Sequence, residues 1–345
     1  MIETRLGVIL KSCLAALALS ALVPVDVQAG PVSYITINDP ADNTLQTPTF
    51  NQLLGINDAG VIAGYFGDGV IVNNNGFTYN NGVFTPENVP GTDQTQVVAI
   101  NNTLSGGTYQ TAGFSVINAS GLNQGFTNVG GTFTNVNGPG STFTQVLGLN
   151  DHNEAVGFYM TSTGVTNGFT YSLGTMNVTT LAVPASWNAT AVTAAGVNNS
   201  GTVVGFFTNA AGTAGFIDNN GTYLSPTDPL GTNPMFFGIN NLGQVVGTDT
   251  AANGASEGFV YDMNTGTWTL VVDPLEMTTP DSFGISGTIL NGINDLGQVV
   301  GFYAGPNGNV DGLLVDTTPE PASAGLLGIA GLLSLGAWMK RRRAN

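Results

Sequence analysis

Residues Gly292–Gly301 read G-I-N-D-L-G-Q-V-V-G, and the same phrase returns throughout the chain. It stands at Gly55 (GINDAGVIAG), Gly148 (GLNDHNEAVG), Gly196 (GVNNSGTVVG) and Gly238 (GINNLGQVVG), with an altered copy, AINN, at Ala99. The intervals between these starting positions run from 42 (Gly196 to Gly238) to 54 residues (Gly238 to Gly292). A phrase repeated at that period marks the unit of an array fold, not a single active centre.

Four short signals surround each copy. An aromatic-Thr segment comes first, at Tyr34–Ile37, Val83–Thr85, Thr132–Thr134, Met176–Thr179, Thr222–Leu224 and Thr267–Leu270. The run into G-I-N is second, as at Val97–Ile100 and Phe236–Ile239. V-V-G-F-Y is third, at Ile62–Tyr65, Val156–Tyr159, Val203–Phe206 and Val299–Tyr303. G-F-x-Y is fourth, at Gly76–Tyr79, Gly125–Asn128, Gly168–Tyr171, Gly215–Asp218, Gly258–Tyr261 and Gly312–Val315. Each is rich in β-branched and aromatic residues, bounded by Gly, Asn, Asp or Pro, and without helical periodicity. Between the second and third signals, Asn57, Asp58 and Gly60 predict a tight hairpin turn. So do Asn150 and Asp151; Asn198, Asn199 and Gly201; Asn240, Asn241 and Gly243; and Asn294, Asp295 and Gly297. Six groups of four strands predict an all-β, six-bladed propeller-like domain over residues 30–317. Closing the ring removes exposed sheet edges; Gly312–Val315 completes the N-terminal blade if the sequence phase and the blade phase differ.

Charge is distributed very unevenly. All six basic residues are terminal, and 20 of the 22 acidic residues follow Gly30. Such a body repels nucleic acid and anionic membrane surfaces. Its carboxylates have no basic side chain to pair with, so they must be solvated, hydrogen-bonded or neutralised by bound cations. Cys13 is the sole cysteine and lies in the N-terminal apolar run, so the body has neither disulfide nor cysteine metal site.

The ends read as export signals. Residues 1–29 combine a basic start, an apolar run from Cys13 to Val23, and Val27-Gln28-Ala29 ahead of Gly30, which predicts signal-peptidase cleavage between Ala29 and Gly30. At the other end, Ala322–Met339 is uncharged over 18 residues, enough for a single transmembrane helix, and Lys340, Arg341, Arg342 and Arg343 form a cytoplasmic stop. Pro319-Glu320-Pro321, the apolar stretch and the basic cluster, in that order, resemble the PEP-CTERM sorting signal (residues 318–345). That resemblance implies that an exosortase recognises Pro319, Glu320 and Pro321 and removes the anchor. The protein then reaches the cell surface or the medium, often alongside exopolysaccharide. The G-I-N-D-x-G-x-V-V-G phrase with its G-F-x-Y partner also resembles the HAF repeats of extracellular bacterial proteins, across residues 34–316.

Candidates for chemistry are few. His152 is the body's only histidine, which disfavours a Ser-His-Asp triad or a His-rich metal centre, and its turn position predicts solvent exposure. Glu154, Glu257 and Glu276 depart from the repeat and are the candidates for carboxylate-based glycan cleavage. Calcium is the metal that the oxygen donors of Asn57-Asp58, Asp151 and Asn294-Asp295 would suit, although the spacing of a dedicated calcium loop is missing and the expectation is no cofactor. Tyr109 and Trp187 could stack on sugars, whereas Trp268 sits within a strand and predicts core. The segment Thr103–Thr111 interrupts the second unit and marks a loop face where binding often resides. These features together predict an exported, non-enzymatic surface or matrix protein that binds polysaccharide or another surface partner. Its alternative is a secreted glycan hydrolase or lyase.

Overall fold

Each copy of the repeated phrase turns the chain from an innermost strand into the strand beside it. In a computed structural model that describes residues 32–316, β1 (Ser33–Thr36) comes first. β2 to β5 span Asn51–Ile56, Ile62–Phe66, Asn75–Asn80 and Val83–Pro86. β6 to β9 span Gln94–Ser105, Thr108–Ile117, Leu122–Val129 and Thr132–Val136. β10 to β13 span Phe143–Leu149, Glu154–Met160, Thr166–Ser172 and Asn177–Thr180. β14 to β17 span Ala191–Val197, Thr202–Asn209, Gly212–Asn219 and Thr222–Leu224. β18 to β21 span Thr232–Ile239, Gln244–Thr250, Ser256–Asp262 and Thr267–Leu270. β22 to β24 span Thr288–Ile293, Val299–Ala304 and Val310–Asp316. Among the described residues the helical content is three short 3-10 turns, at Asp42–Thr44, Ala185–Trp187 and Pro306–Gly308.

The strands pair antiparallel in sets of four, giving blades I (β2–β5), II (β6–β9), III (β10–β13), IV (β14–β17) and V (β18–β21). Blade VI is made of β22, β23 and β24, and its fourth strand is β1, with Ser33 opposite Asp316 and Thr36 opposite Leu313. The aromatic-Thr signal is therefore the outer strand of each blade, one strand out of phase with the order in which the chain presents it. Tyr34–Ile37 completes the C-terminal blade.

Two features of the phrase are explained by the packing of the inner strands. Every inner strand carries a bulge at the same place, between Leu53 and Gly55 in blade I and between Leu290 and Gly292 in blade VI, for example. At the bulge the backbones of neighbouring blades come into contact, so a Cβ on Gly238 would lie 2.6 Å from the Asn291 carbonyl and one on Gly292 2.8 Å from that of Leu54. The aromatic of G-F-x-Y fills the space between blades. Phe77, Phe126, Phe169, Phe216 and Phe259 are at most 1% exposed, and Leu313 takes their place in blade VI. Burial of such rings is the main stabilising term available to a body whose residues 32–316 contain no Lys or Arg.

Adjacent blades also touch at the rim away from the G-I-N turns. Parallel bridges join Asn123 to Phe143, Thr166 to Ala191, Ser256 to Gly287 and Val310 to Phe50. The architecture is all-β and propeller-like.

Candidate functional site

The G-I-N turns converge on the central axis and build two closed hydrogen-bonded rings. In the first, the side-chain amide of each leading Asn donates to the backbone carbonyl of the next. Asn57 donates to Asn101 (3.1 Å), Asn101 to Asn150 (2.9 Å), Asn150 to Asn198 (2.9 Å), Asn198 to Asn240 (3.2 Å), Asn240 to Asn294 (3.0 Å) and Asn294 back to Asn57 (3.0 Å). In the second ring, the backbone N–H of each following residue donates to the next blade's side chain, from Asp58 to Asn102 (2.8 Å) and onward through Asp151, Asn199 and Asn241. It closes where Asp295 N–H meets Asp58 Oδ1 at 2.8 Å. The leading Asn Oδ1 also caps its own turn, as Asn240 does for the N–H groups of Leu242 and Gln244. Gly60, Gly201, Gly243 and Gly297 adopt the positive φ that the hairpin requires, and Asn153 does so in blade III. The turn residues thus have a second task that their local pattern did not reveal: they fasten the blades to one another.

These rings occupy oxygen donors that calcium would suit. Asp151 Oδ2 accepts from Asn102 (3.2 Å) and Asn199 (2.7 Å), and Asp295 Oδ2 accepts from Asn241 (2.7 Å). Among the described residues no cluster of three or more His, Cys, Asp or Glu side chains is placed to hold a metal. His152 is exposed, as its turn position predicts. Trp187 is not a free sugar platform, since it stacks on Phe207 with ring centroids 4.5 Å apart. Trp268 packs against Phe259 at 4.8 Å. Glu276 accepts from Thr288 (2.5 Å), and burial raises its carboxyl above the ordinary range. Ala29, Gly30, Pro319, Glu320, Pro321, Lys340, Arg341, Arg342 and Arg343 lie outside the described residues.

The insertion in blade II does shape a concavity. Thr103–Thr108 extends the β6–β7 hairpin beyond its counterparts, with Leu104 opposite Tyr109 and Ser105 opposite Thr108. Beside it, a cleft of about 410 Å³ opens between blades I and II, a size suited to a small ligand or one sugar unit. Tyr109 and Phe133 supply half-buried aromatic walls, and Asn80, Thr108 and Asn88 supply polar edges. Glu87 reaches its floor, where its carboxylate accepts from Thr111 Oγ1 and from Asn128 Nδ2 (2.9 Å). Burial pushes the Glu87 carboxyl up, and those two donors pull it partly back. Asn128 is 7% exposed and its Oδ1 has no partner, so a buried acceptor is left for a ligand hydroxyl. Tyr109 and the insertion could be singled out from the sequence. Glu87 could not, because it lies in an interblade connection; Asn128 carried one signal, standing where Tyr79, Tyr171 and Tyr261 end the other G-F-x-Y copies.

No protein-family profile matches the chain, and no curated protein matches it by sequence. Solved structures do. A TolB-like protein from Agrobacterium tumefaciens aligns with a TM-score of 0.52 at 12% identity, over 82% of this chain and 96% of its own. TolB from Acinetobacter baumannii aligns at 0.47 and 10% identity, over 78% of this chain, which spans 64% of that protein's length. The Aleuria aurantia lectin in complex with Fucα1-6GlcNAc aligns at 0.47 and 11% identity, over 81% of this chain and 99% of the lectin. The Agrobacterium likeness supports a β-propeller fold and carries nothing about activity.

Proposed function

We propose that this chain is an exported bacterial surface or extracellular-matrix protein. In this reading it is a six-bladed propeller that binds a polysaccharide without cleaving it. A signal peptidase removes residues 1–29, and the C-terminal helix anchors the protein transiently in the inner membrane. An exosortase acting at Pro319-Glu320-Pro321 then releases it to the surface or the medium.

The observation that carries the binding role is the cleft beside the β6–β7 hairpin. It joins aromatic faces, which stack on sugar rings, to a buried carboxylate and an unpaired amide oxygen, which orient hydroxyls. Cleavage of a glycosidic bond by acid and base uses two carboxyl groups. Glu87 is the one carboxylate lining this cleft, which favours binding over hydrolysis.

The test is a pull-down of the purified protein on the exopolysaccharide of its own host. Tyr109→Ala should weaken binding about tenfold, the loss of one aromatic anchor. Unchanged binding in Tyr109→Ala and Asn128→Ala together would remove the cleft from the account, and release of new reducing ends would show an enzyme instead. Sorting is tested separately: deleting residues 318–345 should change the protein's cellular location, and an unchanged location sinks that part of the reading.

A further inference from the structure

Position 249 departs from the aromatic that four of the other five blades carry there. Two residues after the glycine of the second strand stand Phe66, Tyr159, Phe207 and Tyr303 in blades I, III, IV and VI, and Ser115 in blade II. Blade V has Asp249 there, on β19. It is 2% exposed, and neither of its carboxyl oxygens has a hydrogen-bond partner.

Its nearest polar neighbour is a second acid. Asp228, in the connection between blades IV and V, accepts from the Leu230 N–H at 2.8 Å through Oδ1. Its Oδ2 is buried without a partner, and the two carboxyl groups face each other within hydrogen-bonding reach. Gly231 presses the connection onto the pair, since a Cβ there would lie 2.5 Å from Asp249 Cγ. In blade III, Gly138 packs in the same way against the ring of Tyr159. Blade V has therefore exchanged an aromatic contact for two opposed carboxyls. Glu257 stands across the β19–β20 register from Asp249, and Glu276 lies beyond it, adding negative charge.

Buried carboxylates without donors require either a shared proton or a counter-charge. Residues 32–316 contain no Lys or Arg, so no basic side chain of this body supplies that charge. We propose that Asp228 and Asp249 hold a divalent cation, calcium being the ion whose preference for hard oxygen and tolerance of irregular coordination best suit two carboxylates completed by water and backbone carbonyls. The ion would pin the blade IV–V connection to β19, in place of the aromatic that pins it elsewhere. Burial, with Asp228 and Glu257 alongside, pushes the Asp249 carboxyl up to about 8, so protons compete with the metal.

The experiment is calcium titration of chelator-treated protein at pH 8.5, by isothermal calorimetry and by thermal unfolding. One saturable site is expected, with a rise of about 5 °C in Tm when calcium reaches a hundredfold excess over its Kd. Asp249→Asn and Asp228→Asn should each abolish both signals, while Asp58→Asn, at the axial ring, should keep them. Asp228 lies at the surface side of the pair, so its variant folds even if the Asp249 variant does not. Absence of a saturable heat in the unaltered protein, or its survival in Asp228→Asn, overturns the proposal. So does a Tm that ignores calcium and only falls between pH 6 and 9, since a shared proton would then account for the pair.

Discussion

At the scale of single residues, the asparagines of the repeated phrase do more than their turn chemistry requires. Each is buried, caps its own hairpin and donates to the neighbouring blade. Asn240→Ala would strip partners from two N–H groups and from the Asn294 carbonyl at once. It should destabilise the protein by about 2–4 kcal/mol, readable as a lower urea midpoint with an unchanged m-value. Asn57 was legible as a turn residue because Asn-Asp-x-Gly is a local signal; its bond to Asn101, 44 positions away, is set by ring geometry that no local pattern carries. Asp42 offers a second test. Burial raises its carboxyl to about 6, against an ordinary value near 3.8, while Phe50 N–H and Asn51 Nδ2 hold its Oδ2. A raised acid binds its proton more tightly when folded, so its contribution is complete below about pH 4 and is lost as pH rises through about 6. Denaturant unfolding should show stability declining across that interval, and Asp42→Asn should flatten the decline.

At the scale of elements, strands were readable and their grouping was not. Alternating Val, Ile and aromatic residues between Gly and Asn breaks place all four strand types in each unit, and the observed strands follow them. Which strand begins a blade depends on where neighbouring sheets meet, and the chain's own order points to the wrong one. The interblade aromatics are the strongest elements of the packing. Phe216 is fully buried among Trp187, Tyr223, Val203 and Val156 of the neighbouring blade. Phe216→Ala should cost about 3–5 kcal/mol, whereas Leu242→Ala, at an exposed turn, should fall within about 0.5 kcal/mol. Matched thermal melts of the two variants check this contrast. The blade II hairpin was legible as an interruption, because its extra residues break a period that five other copies define. Its cleft was not, since Glu87 comes from the connection between blades I and II and Asn128 from the third strand of blade II.

At the scale of the whole molecule, one short strand reinforces the closure that the axial rings and the Val310–Phe50 bridge make between blades VI and I. β1 supplies the outer edge of blade VI, and Thr36 Oγ1 shares a hydrogen bond of 2.9 Å with Tyr303 across the seam. Removing residues 30–37 would bare β24 as an open edge and weaken the seam. Such a truncation should self-associate in size-exclusion chromatography and lose its sharp thermal transition, where the intact chain stays monodisperse. The absence of basic residues from the body adds a solution property. Nineteen acidic side chains repel one another with no internal relief, so moderate salt should raise Tm even without a specific ion.

That seam also sets an order of events. Ser33 lies on β1 and its partner Asp316 on the last strand of blade VI, so blades I to V can assemble while the clasp waits for its other half. The final step of folding is then the meeting of the two chain ends, slow because it spans nearly the entire length. A chain exported as proposed above would stay an open array until its last strand arrives, next to the segment proposed for the sorting cut.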